Sequence, residues 1–389
     1  MAKVKALEMA GNMFVFDNPC CDCRVETTYT EDGKKEHTFR IKRIDGSYKY
    51  AYAPIYGLVM IDPETGSTVD TKVIDDFLNI KEENVDSITD FIEKHGFFIP
   101  LPNDNKYKKY NHVDICSAIH RFRCLVELMS LLEDNEIKYK KIFDFITPLL
   151  FEKAIVFDNG ILNYTSIYSF TDLWDKAFEL PERKSEFNEE NMYSDETYYS
   201  IIDSFTGKTE NIKSIFFDEF IEVTNDSDDS EYNTAKIYKL YRDGFTKNTD
   251  NTSRYFIDLL YHDINDVIIN IDSVCSANMS FDSYDDYKTK LIEISKLVIK
   301  QELDFHLKGI HPIYDISTMS PNWEIPDFYT ALYFAIFYTR PNFEVYRRCA
   351  NPDCNCLFKV KTTNHRKKFH DDSCREAISQ RKVRNSKLQ

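Results

Sequence analysis

Cys349-Ala350-Asn351-Pro352-Asp353-Cys354, followed by His370-Asp371-Asp372-Ser373-Cys374, is the stretch from which this 389-residue chain is best read. Four metal-seeking side chains fall into two pairs. Four residues lie inside the first pair, three inside the second, and fifteen between the pairs. Zn²⁺ takes four ligands tetrahedrally, and thiolate sulfur with imidazole nitrogen is its usual protein shell. A gap of a few residues lets two ligands grip one ion from a single tight turn. Asn351-Pro352-Asp353 suits such a turn, because Pro fixes φ while Asn and Asp satisfy local backbone donors. The expectation is one structural Zn²⁺ on Cys349, Cys354, His370 and Cys374, a closed set with no place for an activated water. Two substitutes stay open at this point: Cys356 for Cys354, and His365 for His370.

Around the ligands, Leu357-Phe358-Lys359-Val360-Lys361 alternates apolar and basic residues as a short strand does. Thr362 to His365 reads as a turn, with Arg366 to Phe369 returning as a second strand. Asp371-Asp372-Ser373 supplies N-cap candidates for a helix over about Cys374 to Lys387. Knuckle, hairpin and helix together describe a treble-clef-like finger. So short a module buries little core, so the ion is expected to supply its folding free energy, on the order of 10–16 kcal/mol apparent.

Tyr346-Arg347-Arg348-Cys349-Ala350-Asn351-Pro352-Asp353-Cys354, then Leu357-Phe358, then Cys374-Arg375 opening a basic helix, resembles the C-terminal finger of CGNR zinc-finger proteins. In that family the finger follows a longer N-terminal region, often called the ABATE domain, and the apolar helix Asp327 to Thr339 sits where the family places one. The resemblance implies a bacterial transcription regulator whose finger binds nucleic acid, and it implies the same four ligands. His370 stands where the family usually has Cys, and Arg375-Glu376-Ala377 replaces the Gly-Asn-Arg triplet.

Charge supports a division of labour. The net charge is −16, yet residues 340–389 hold 13 of the 49 basic and only 5 of the 65 acidic residues. A cationic module on an anionic body points to phosphate as a partner. The candidate contacts are Lys359, Lys361, Arg366, Lys367 and Lys368 from the hairpin, with Arg375, Gln380, Arg381, Lys382 and Arg384 from the helix. Arg375 and Gln380 are the candidate base-edge readers. Alanine at Arg381, Lys382 and Arg384 is expected to weaken binding without releasing the metal.

The fold class read from the sequence is α+β: a strand-rich N-terminal region, a mostly helical middle and the C-terminal treble-clef-like finger. The domains read as 1–110, 111–340 with an acidic insert over about 181–235, and 341–389. In the first region Asp17-Asn18-Pro19, Glu31-Asp32-Gly33 and Asp45-Gly46 read as turns between strands. Helices are expected over Val73 to Ile80, Val85 to His95 (with Gly96 as C-cap), Ser117 to Asp134 and Asp286 to Leu307. His120, Arg121 and Arg123 read as a solvated face. His306 and His311 read as capping or surface residues. Cys20, Cys21 and Cys23 read as reduced thiols, with a second metal site as the alternative.

No apolar run approaches the roughly 18 residues of a membrane span, no signal-peptide pattern opens the chain, and ten cysteines without one suit reduced thiols. The expected compartment is cytoplasmic. No zincin, nucleophile-elbow, dinucleotide or complete phosphate-loop motif is present, so an enzyme is the lesser expectation. Two alternatives to a DNA-binding regulator are carried. One is an interaction or sensory module braced by a purely structural finger, its body binding an unknown small molecule or protein. The other is an enzyme in the N-terminal body.

Overall fold

The computed structural model describes residues 14–53, 57–133, 137–151, 155–156, 163–164, 170–180, 229–245, 249–271, 275–281, 286–316, 319–339, 344–361, 363–364 and 366–386. It is α+β, with a strand-rich start, a helical middle and a Cys/His cluster near the C-terminus. Two compact units emerge. The first comprises 1–135, 155–164 and 302–389, and the second 136–154 and 165–301. The finger belongs to the first unit together with the N-terminal sheet.

Two long antiparallel strands, β1 (Val15–Tyr29) and β2 (Lys35–Ala53), form the spine of the first unit. Strands β3 (Gly57–Ile61) and β4 (Thr68–Asp70) extend the sheet from the second half of β2, and β5 (Lys108–Asn111) pairs with its first half. Glu31-Asp32-Gly33 is a turn, as its residues predict, with Gly33 at φ 76°. The other two turn signals are overturned. Asp17-Asn18-Pro19 and Asp45-Gly46 lie within continuous strands, near a bulge where Pro19 faces Ser47 and Cys21 faces Arg43. A bulge takes the same residue types as a turn, since both need an irregular backbone. The Asn18 amide donates to the carbonyls of His95 (2.9 Å) and Phe97 (3.3 Å), which accounts for its burial.

Helices α1 (Val73–Leu78), α2 (Val85–His95) and α3 (His112–Leu132) follow in the first unit. Helix α2 starts on Asn84, whose side chain accepts from Asp86 N, and stops at Gly96. Gly96 has φ +79°, and a Cβ there would stand 2.9 Å from the Pro19 carbonyl oxygen, so only glycine fits. A two-strand ladder, β6 (Ile155–Val156) with β7 (Asn163–Tyr164), also belongs here.

The second unit contains α4 (Tyr139–Phe151), α5 (Phe170–Asp175), α6 (Asp229–Asp243), α7 (Asn251–Asp263), the hairpin β8 (Ile264–Ile271) and β9 (Cys275–Phe281), and most of α8 (Asp286–His306). Phe143, Phe151, Phe170, Trp174 and Phe256 form its aromatic core. Of the acidic insert read over about 181–235, residues 181–228 lie outside the described residues, and 229–235 open α6.

The chain returns to the first unit at the end of α8, continuing through the hairpin β10 (His311–Asp315) and β11 (Ser320–Glu324) to α9 (Phe328–Phe337). Asp327 caps α9, accepting from Thr330 N at 2.7 Å. Nearly every residue of α9 is buried, as its all-round apolar sequence predicts. Phe328 stacks on Tyr50 of the sheet at 4.8 Å, while Tyr333 meets Phe122 of α3 edge-on at 5.1 Å. Helix α9 is thus the filling between sheet and helices.

The polar residues of α3 depart from expectation. Arg121 is buried and forks onto the carboxylate of Glu302, itself fully buried. Arg123 donates to the carbonyls of Leu78 (2.9 Å) and Ile80 (2.6 Å) and pairs with Glu82. His120 lies 3.5 Å from Glu82 Oε2 and 3.3 Å from Cys124 Sγ. None of the three forms a solvated face. A long polar side chain reads as exposed in sequence unless its partner, here 181 residues away for Arg121, can be foreseen. His306 is likewise buried, stacked on Tyr333 at 3.9 Å, whereas His311 is exposed and pairs with Glu324 at 2.9 Å.

Candidate metal centre and basic surface

Strand β12 (Glu344–Arg348) pairs antiparallel with β13 (Leu357–Lys361), and the knuckle Cys349–Cys356 joins them. The second strand expected at Arg366 to Phe369 does not form. The partner of β13 lies upstream of the first ligand, where the buried Val345 faces the buried Val360 across the ladder. The returning segment touches the knuckle through one bond, Ala350 N to Lys368 O at 2.8 Å.

The knuckle is closed by its own backbone. Cys349 N donates to Cys356 O at 2.8 Å, and Cys354 N and Asn355 N both donate to Asn351 O at 3.0 Å. Asn355 takes a left-handed φ of 51°, which asparagine tolerates. Helix α10 (Asp372–Ser386) starts on Asp371, whose Oδ1 accepts from Cys374 N and from the Ser373 hydroxyl, both at 2.8 Å. That cap places Cys374 in the first turn, facing the knuckle.

Cys349, Cys354, His370 and Cys374 offer ligand atoms that all lie within 4.8 Å of one another. Cys354 Sγ and His370 Nδ1 are 3.4 Å apart, against about 3.6 Å for sulfur and nitrogen on a tetrahedral zinc with ordinary bond lengths. Cys349 and Cys374 are buried; Cys354 and His370 are half-buried. Cys356 is not one of the group; its thiol turns to the Cys354 carbonyl at 3.5 Å. His365 lies outside the described residues.

The donor set fits a cation on electrostatic grounds. Burial disfavours the Cys349 thiolate, but hydrogen bonds from His370 and from the Asn351 and His370 backbone prevail and bring its pKa down to about 7. The Asn351 amide donates to Cys374 Sγ at 3.3 Å and favours that thiolate, yet burial and the neighbouring thiols of Cys354 and Cys349 push it up to about 11. Thiolates this close repel one another, and a divalent cation between them removes the penalty. His370 aims Nδ1 at the cluster while Nε2 pairs with Asp371 Oδ2 at 2.8 Å. A carboxylate behind a ligating imidazole fixes its tautomer and orientation. Asp371 therefore serves both the helix and the ligand. Replacing it with alanine is expected to weaken metal affinity about 10–100-fold; competition with a chromophoric chelator measures this, and an unchanged affinity would remove Asp371 from the site.

No protein-family model, curated protein or solved structure matches the chain.

Within the first unit the hairpin is fastened to the helices. Asn79, at the end of α1, accepts from Leu357 N at 2.7 Å and donates to Leu357 O at 2.8 Å, as a neighbouring strand would. Arg348 forks onto Glu127 of α3, its Nε reaching Oε2 at 2.7 Å, and Tyr346 N donates to Ser130 Oγ at 3.2 Å. Sequence reasoning missed Asn79, Glu127 and Ser130, because their partners lie more than 200 residues away.

The predicted phosphate contacts divide into three groups. Lys361, Arg366, Lys367, Lys368, Gln380, Lys382 and Arg384 are exposed. Arg375 and Arg381 are exposed but paired, Arg375 with Asp372 at 3.1 Å and Arg381 with the knuckle residue Asp353. Lys359 is half-buried, with the carboxyl of Asp75 in its field. Arg381 thus ties the helix to the knuckle, so an alanine there tests the metal site as well as any partner.

Two further clusters are settled by their surroundings. Asp70, Asp76 and His95 converge, but the Lys94 ammonium stands 2.6 Å from Asp70 and 2.5 Å from Asp76 and supplies the cation. Burial pushes the thiols of Cys21 and Cys23 up to about 12. Neither they nor Cys20 join a metal-holding group among the described residues. No described helix is long and apolar enough to cross a membrane.

Proposed function

We propose that the C-terminal module is a structural zinc finger that contacts the phosphate backbone of nucleic acid, DNA in the first instance. Bacterial transcription control of the CGNR type is the setting its sequence resemblance suggests. The observation that carries this reading is the sorting of side chains around one cluster. The four clustered side chains turn inward, while Arg366, Lys367 and Lys368 on the adjoining loop and Lys382 and Arg384 further along α10 are exposed to solvent. Zinc is favoured by the Cys3His donor set, and four protein ligands fit a structural role. Lysine and arginine on a loop and a helix suit phosphate contact, which gives affinity and salt dependence without sequence readout.

Binding of the full-length, metal-loaded chain to a mixed-sequence duplex is expected to weaken steeply with salt. Alanine at Lys367, Lys368, Lys382 and Arg384 is expected to flatten the log–log slope by about 0.9 for each phosphate no longer neutralised, up to about 3.6, with bound metal unchanged. The same slope in the variant would exclude the finger as the contact. A second reading, in which the finger only braces the fold, is favoured by the Asn79 and Arg348–Glu127 fastenings. It predicts neither binding nor slope.

A further inference from the structure

We propose that the outer face of the N-terminal sheet is a second contact surface for the phosphate backbone of a nucleic acid, centred on Arg24, Arg40, Lys42 and Lys109. This goes beyond the finger, since it uses other residues and can hold or fail independently.

Strand register sets the cations side by side. Arg24 on β1 faces Arg40 on β2, and Arg40 faces Lys109 on β5. Residues directly opposite on antiparallel strands point to the same face, so three cations stand in one row across three strands. Two strand spacings make that row about 10 Å long. Like charges placed opposite one another destabilise a sheet. The other face of the same strands carries Phe39, Ile41 and Tyr110 into the core, so register cannot slip to separate the cations.

Local anions offset the row only in part. Glu26 pairs with Arg40 at 2.6 Å and Asp22 with Arg24 at 3.4 Å. Lys42, whose cross-strand neighbour is Asp22, and Lys109 form no ion pair among the described residues. Four cations against three carboxylates, the third being the exposed Glu36 further along the same face of β2, leave a net positive face on a chain of net charge −16. Tyr107 then organises it. The Arg24 guanidinium lies 4.9 Å and the Lys42 ammonium 4.8 Å from its ring centre, and its hydroxyl donates to Asp22. Holding two long cationic side chains against a ring reduces the rotamer freedom they lose on binding. The arrangement is concentrated positive charge, pre-positioned and on a rigid sheet. That chemistry suits a ligand presenting repeated phosphates and offers nothing to read a base edge.

The test uses the full-length, metal-loaded protein, a mixed-sequence DNA duplex and its single strand. The double variant Arg24→Ser, Lys109→Ser is expected to flatten the salt slope by about 1.8, at 0.9 per phosphate contact. The charge-keeping variant Arg24→Lys, Lys109→Arg is expected to preserve it. Thermal melting should show both variants still cooperatively folded, since both positions are solvent-exposed. An unchanged slope in the serine variant would overturn the proposal. So would an equal loss of binding to polyglutamate at the same salt, which would mark a general polyanion surface. Finger variants run in parallel keep the two ideas apart. If they bind normally while the sheet variant is impaired, the finger reading fails and this one stands; the reverse pattern fails this one alone.

Discussion

Serine at Cys349 is expected to abolish metal binding and to unfold the knuckle 349–356 and residues 366–386, while β12, β13 and the rest of the first unit stay folded. The finger has almost no core of its own. Its buried cluster is Cys349, Phe358, Val360 and Cys374, with Cys354 and Phe369 packed around it, so half of its members are ligands. Helix α10 is polar and largely exposed, and a lone helix of that length is marginal in water. The proposed metal is therefore expected to carry most of the local folding free energy, on the order of 10 kcal/mol apparent. Strands β12 and β13 are held separately by Asn79 and by Arg348–Glu127, so unfolding should stop at the knuckle. Metal analysis should fall from one ion per chain to near zero. Hydrogen exchange should accelerate across 349–356 and 366–386 and stay slow in β13 and α3. A metal-free variant that kept its C-terminal protection would show that packing, not an ion, holds the module.

Alanine at Glu302 is expected to cost the first unit about 3–5 kcal/mol, because it strands a buried guanidinium. Glu302 is 0 % exposed and Arg121 5 %. Arg121 reaches Glu302 through two donors, one at 2.8 Å, and His306 stands 3.6 Å from the same carboxylate. Pairing Glu302→Ala with Arg121→Met should recover much of the loss, since removing both charges leaves neither unpaired. Urea midpoints of the two singles and the double form the cycle, and strictly additive losses would refute the coupling.

The same pair sets a pH dependence. Burial would raise the carboxyl of Glu302, but Arg121 and His306 prevail and hold it below the usual range. Its stabilising contribution is present above the unfolded carboxylate value of about 4.3 and is lost as pH falls through the lower folded value. Burial also holds His306 below its ordinary value. Below about pH 6.5 the unfolded chain takes up a proton that the folded one refuses, so stability declines there first. Phenylalanine at His306 should reduce that earlier decline, to which His112, also held low by burial, contributes, and leave the carboxylate step.

The local elements were legible where a residue's neighbours in sequence are also its neighbours in space. Helix α2 with its Gly96 stop, the all-round apolar helix α9, strand β13 and the cap at Asp371 follow from residues a few positions apart. The four ligands belong to the same class, since each pair spans one turn. The turn signals at Asp17–Pro19 and Asp45–Gly46 misled because a bulge inside a paired ribbon has the composition of a hairpin turn.

Residue order alone was enough for the Cys3His spacing, the cationic end of an acidic chain and the α+β class, all of which depend on short-range chemistry and periodicity. Folding in three dimensions was needed to fasten the finger to the N-terminal helices, to bury Arg121 and His306 as partners of Glu302, to brace the knuckle with Arg381, and to stand Arg24, Arg40 and Lys109 in one row. All but the His306–Glu302 pair, which is one helical turn, join residues far apart in the chain. A side chain's charge is fixed by its type, but whether that charge faces solvent, a partner or its like is fixed by packing.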